Sequence, residues 1–278
     1  KSIVDYGING GVTEAWDPDS LFTAPICALG EIFLADSTGE MGISESLFED
    51  AIDRATNASI PITVHAEDDT QFDATTTSRT DPDAWSAYRT PESEITAIEN
   101  ACEIATRNDT TIHIAHTSTP EGIDIAKNTG MTCEVTPHHL FLSRDDLTDL
   151  GTLGKMNPPL RSETRREAVY NRVANGSVDI IATDHAPHTI DEKDTSIWDA
   201  PSGVPGVETA LPLLIADAAN GGLSYERIRD LTATNPAAIF TLPHKGKIEP
   251  GYDADLTLFD TTNTTTIDAS KLHTKCTW

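Results

Sequence analysis

The densest chemistry in this chain lies in Asp184-His-Ala-Pro-His188, where one carboxylate and two imidazoles crowd into five residues. They follow the apolar run Val178, Ile180, Ile181 and Ala182, which reads as a buried parallel strand that Pro187 brings to an end. The pattern recurs. Ile60-Pro-Ile-Thr-Val-His65-Ala-Glu67-Asp68 is an apolar run closing on a histidine and acids. Thr111 to His116 and Thr132 to His139 close on histidines in the same way. One strand ending in His means little, but several in series point to convergent ligands at one end of a sheet. Imidazole and carboxylate together suit zinc, and a carboxylate beside it suits proton transfer during attack on a carbonyl.

The elements that must position these residues alternate between strand and helix. Strands are expected near 3–8, 31–35, 60–65, 111–116, 132–136 and 178–183. Helices are expected over 13–29 (in part), 44–58, 91–107, 120–128, 162–174, 208–219 and 224–233. Ser44 and Pro91 sit where helices begin, and Gly130 where one ends. Such alternation builds a parallel sheet with right-handed crossovers. Residues 69–90 and 189–206 read as long polar loops, the first solvated and with little fixed structure, and one of them is expected to cover a substrate. After residue 242 the character changes. Residues 245–260 read as short strands and turns, so the chain divides into a barrel portion, 1–242, and part of a β module, 243–278.

Composition narrows the partners. Nineteen Lys and Arg against 45 Asp and Glu give a net charge of −26 over 278 residues. That excess repels nucleic acid and anionic membrane surfaces, and a small-molecule substrate is expected instead. Scarce Lys and abundant Asp, Glu and Thr point to a cytoplasm rich in salt, where charges are screened. The cysteines Cys27, Cys102, Cys133 and Cys276 form no CxxC pair and read as free thiols.

Taken together, VHAED (64–68), HIAHTST (113–119), CEVTPHHLFLS (133–143), KMNPPLR (155–161), ATDHAPH (182–188), GVPGVETALPLL (203–214) and GKIEPGYDADLTLFD (246–260) resemble the dihydroorotases of the amidohydrolase superfamily, of a halophilic archaeal type. The motifs follow the family's order over nearly the whole chain. The resemblance implies a metal-dependent (β/α)8 barrel of the TIM type with a small β-sandwich. It implies reversible cyclisation of N-carbamoyl-L-aspartate to L-dihydroorotate, with one or two zinc ions. Carried over, His65, His116 and Asp184 are metal ligands, Asp184 is also the proton shuttle, and Asn157, His188 and Gly203 contact substrate. Many relatives have a carboxylated lysine where this chain has Glu31, so Glu31 is expected to bridge the metals, with Asp36 as the alternative. His113 reads as structural. Arg161 is open between a substrate contact and a surface salt bridge, and His139 between a substrate loop and packing.

The family's His-x-His on the first strand and the Arg after it are absent. The chain therefore reads as a fragment holding strands three to eight, poorly stable and weakly metal-binding alone. The fragment alone is expected to be inactive, and a homodimer or an association with aspartate transcarbamoylase is compatible with this reading. Two readings compete with it: a hydantoinase-like or allantoinase-like cyclic amidase, and an inactive dihydroorotase-like scaffold subunit of aspartate transcarbamoylase.

Overall fold

The computed structural model describes residues 4–37 and 39–278. Six strands form one parallel sheet in sequence order: β1 (Asn9–Gly10), β2 (Ala28–Phe33), β3 (Ile62–His65), β4 (His113–Ile114), β5 (Thr132–Val135) and β6 (Ile180–Ile181). This ordering, with a helical crossover after each of β2 to β5, is that of consecutive units of a (β/α)8 barrel. The expected strand at 3–8 sits instead at Asn9–Gly10, and residue 3 of that stretch lies outside the described residues.

The helices follow the apolar spacing. Helix Glu45–Ala58 buries Phe48, Ala51, Ile52 and Ala55. Helix Pro91–Arg107 buries Ile98, Ala101, Cys102 and Ala105, and its N-cap Thr90 accepts from the Ser93 N–H. Thr119 and Thr136 cap helices Pro120–Asn128 and Pro137–Phe141 in the same way. Each such cap contributes about 1 kcal/mol. These faces meet Leu29, Ile32, Ile62, Val64, Ile114, Cys133 and Val135 of the sheet in one apolar core. All four cysteines are free thiols.

The helix and connection expected over 13–29 are the one-turn helix Pro18–Leu21 and the chain leading to the strand at Ala28. Two expectations need correction. Residues 69–90 are not a loose solvated loop. They hold 3-10 turns at Asp69–Gln71 and Ala74–Ser78 and a helix at Ala84–Tyr88, with Thr76, Ser86 and Arg89 buried. The polar residues that suggested disorder close these turns: Asp68 and Asp73 side chains accept from the Thr70 and Thr75 N–H groups. Phe72, Trp85, Tyr88 and Trp198 then pack ring against ring. Finally, residues 245–260 form no strand. Ile248 and Leu258 are 87% and 91% exposed, and no described segment pairs with them, which a strand requires.

Candidate metal centre and the loops beside it

Glu31 lies in the carboxyl-terminal half of β2, His65 is the last residue of β3, and His116 follows the end of β4. Each offers one ligand atom, and these atoms all lie within 4.8 Å of one another. His65 Nδ1 and His116 Nε2 are 2.9 Å apart, and Glu31 Oε2 lies 3.9 Å from the first and 3.4 Å from the second. Both imidazoles are buried, while Glu31 keeps 28% exposure.

Backbone irregularities aim two of these side chains. Between Leu29 and Ile32 the register with β3 shifts, a bulge that turns Glu31 toward the histidines. Gly30 permits it with φ 125°, where an added Cβ would meet Thr63 O at 2.2 Å. His116 lies two residues beyond β4 with φ 34°, and Asp184 three beyond β6 with φ 44°. Non-glycine residues held at positive φ are uncommon and cluster at working sites.

The electrostatics ask for a cation. Burial raises the Glu31 pKa, but the neighbouring histidines, His116 foremost, bring it down to about 2. For His116, burial opposes protonation, yet Glu31 with Asp184 and Glu134 pushes its pKa up to about 10. Burial, reinforced by Glu31 and Glu134 against His116, raises Asp184 to about 6. His65 is held low, first by burial and then by His116, and stays neutral. The carboxylates thus gather around His116 and favour its charged form. A divalent cation meets the same demand. The donor set fits one: a carboxylate and two imidazoles, with His65 Nδ1 and His116 Nε2 both facing Glu31 Oε2.

Not every expected residue joins the trio. Asp184 is half-buried and electrostatically linked to His116 and Glu31, but its oxygens fall outside the 4.8 Å set. Asp36 is exposed, and its Oδ1 accepts from the Gly42 N–H at 2.8 Å, so the alternative bridge is absent from the cluster. Asn157 is 7% exposed. Its Oδ1 accepts from Trp85 Nε1 at 2.8 Å and its Nδ2 donates to Ser37 Oγ at 3.0 Å. His188 Nε2 donates to Ser202 O at 3.0 Å, and the Gly203 N–H donates to Lys155 O at 3.0 Å. Gly203 therefore retains only its carbonyl for a ligand.

Arg161 makes no surface salt bridge. It is buried, with Nη2 3.0 Å from Glu94 Oε2 and Nε 2.9 Å from Ser118 Oγ. His139 packs: its Nε2 donates to Pro158 O and its Nδ1 pairs with Thr136 Oγ1. His113 bonds Thr132 Oγ1 and Glu134 Oε2, the structural role expected of it. The sequence reading passed over Glu67, Arg89, Glu134 and Gly30. Glu67 stood in view two residues after His65, but nothing in the spacing marked its partner, Arg89, 22 residues away.

Residues 36–276 match the amidohydrolase family. The chain belongs to this family. A dihydroorotase of Halobacterium salinarum is 62% identical over 277 residues, covering 100% of this chain and 66% of that protein. A dihydroorotase of Methanosarcina acetivorans is 40% identical over 295 residues, covering 100% of this chain and 63% of its own length. The chain thus spans a little under two thirds of these relatives. Among solved structures, an L-hydantoinase (dihydropyrimidinase) from Arthrobacter aurescens superposes with a TM-score of 0.88 at 26% identity, over 96% of this chain and 63% of that one. As an amidohydrolase-family chain, it has the barrel architecture that its strand order follows. No helix among the described residues is long and apolar enough to cross a membrane.

Proposed function

We propose that this chain carries the metal centre and part of the substrate site of a dihydroorotase, which interconverts N-carbamoyl-L-aspartate and L-dihydroorotate in pyrimidine biosynthesis. The observation that carries this reading is the convergence of Glu31, His65 and His116 on one point, with the Asp184 charge beside it. Their motifs belong to a chain 62% identical to a dihydroorotase.

The residues that would hold zinc are Glu31, His65 through Nδ1, His116 through Nε2, and Asp184. A zinc ion there supplies Lewis acidity toward a carbonyl oxygen and a water molecule. In the hydrolytic direction, the water oxygen bonds to the ring carbonyl carbon and the ring C–N bond breaks. Asp184 takes the proton from that oxygen and delivers it to the departing nitrogen, and ring closure reverses both transfers. Asn157, His188 and the Gly203 carbonyl flank the substrate. The trio sits toward the carboxyl ends of parallel strands, where barrels place their chemistry.

A cyclic amidase of hydantoinase type is the competing reading, favoured by the 0.88 TM-score. Assaying the protein on dihydroorotate, hydantoin and allantoin separates the two. Turnover of dihydroorotate at least about tenfold faster, a difference of about 1.4 kcal/mol in barrier, supports the proposal. Preferential turnover of hydantoin overturns it. The proposal includes location in the cytoplasm and either a homodimer or an association with aspartate transcarbamoylase, each to be tested on the purified protein or in cells.

A further inference from the structure

Glu67 stands two residues beyond His65, is fully buried, and takes no part in the ligand trio. Its Oε2 accepts from His65 Nε2 at 2.9 Å. On its other side Arg89 donates through Nη2 to Oε2 at 2.7 Å, and through Nε to both oxygens at 3.1 Å. A buried, ion-paired carboxylate only accepts, so the ring proton of His65 sits on Nε2. The lone pair of Nδ1 is then left facing Glu31 and His116. Arg89 is itself fixed: it donates to Asp36 O at 3.3 Å and lies over the rings of Phe72 and Trp85. Trp85 in turn donates to Asn157. Phe33 stacks against His65, with ring centres 4.8 Å apart. That stacking can hold the plane of the imidazole, but it cannot choose which nitrogen carries the proton.

We infer that Glu67, anchored by Arg89, is a positioning residue that keeps His65 in the Nε2–H tautomer and aims Nδ1 at a cation shared with Glu31 and His116. The inference rests on the metal reading above. Glu67 touches no reacting atom and acts only through His65. Arg89 neutralises the buried carboxylate, and through Trp85 it joins the metal histidine to the proposed substrate contact Asn157.

The test is zinc competition against a chromophoric chelator, together with the visible spectrum of the cobalt-loaded protein. The proteins compared are wild type, His116→Ala, Glu67→Leu and the double variant Glu67→Leu/Arg89→Met. Leu offers no acceptor to the His65 Nε2–H, whereas Gln would keep one in its amide oxygen. The double variant removes both buried charges, so it serves if the single variant fails to fold. Zinc affinity is expected to fall about 10- to 100-fold in the folded Glu67 variants, with an altered cobalt spectrum. A folded variant that binds zinc within about twofold of wild type, with an unchanged spectrum, overturns the positioning role, since ligand-orienting partners change affinity by more than that. If His116→Ala also binds zinc as wild type does, the trio itself is wrong. If only His116→Ala loses zinc, the trio stands and Glu67 does not position it.

Discussion

At the scale of single residues, the site and its surroundings are governed by where buried charge is compensated. Around His116 the carboxylates of Glu31, Asp184 and Glu134 favour a positive charge. Just past His116, the Ser118 and Thr119 N–H groups donate to Glu94 at 2.7 and 3.0 Å, and Arg161 neutralises that carboxylate. Both members of that pair are buried, so removing one leaves the other charge unpaired in a poor solvent. Glu94→Gln is expected to lower stability by about 3–5 kcal/mol in denaturant unfolding. A loss below about 1 kcal/mol would match an exposed pair and contradict the burial. The histidines at 65 and 116, which the structure brings together with Glu31, stood out in the sequence because each follows an apolar strand, a local pattern. The buried setting of Arg161 did not, since its partner lies 67 residues away and only the fold joins them.

At the scale of elements, β2 decides the geometry of the centre. Its bulge at Gly30 lets one short strand pack Leu29 and Ile32 into the core while turning Glu31 to the ligand cluster. Gly30→Ala puts a methyl against the β3 backbone at a φ that L-residues rarely adopt. The expected result is a stability loss of about 2–4 kcal/mol, combining strain and overpacking, with zinc affinity reduced. Unchanged melting and zinc binding would show that the strand tolerates the side chain. The alternation of strands and helices was readable because its apolar periods are local. The order within 69–90 was hidden, because its Asp and Thr side chains satisfy their own turns and its aromatic rings find Trp198 far along the chain. The helix-poor character of 245–260 was also readable. Strand formation there was not decided by sequence, because a strand exists only with a neighbour to pair with.

At the scale of the whole molecule, a net charge of −26 sets the conditions under which the fold holds. Like charges repel across roughly 30 Å at 0.01 M salt but only about 3 Å at 1 M. The protein is expected to lose structure in dilute buffer and regain it in molar KCl, followed by circular dichroism and thermal melting. Equal thermal stability in both would remove the salt-adaptation reading. The central claim, that strand ends gather around one cation, is tested most directly by anomalous diffraction at the zinc absorption edge from crystals of the protein grown with zinc. The account predicts a peak about 2.0–2.2 Å from Glu31 Oε2, His65 Nδ1 and His116 Nε2, with the Asp184 carboxylate adjoining it. A protein crystallised with zinc that shows no peak within bonding distance of these three atoms would contradict it.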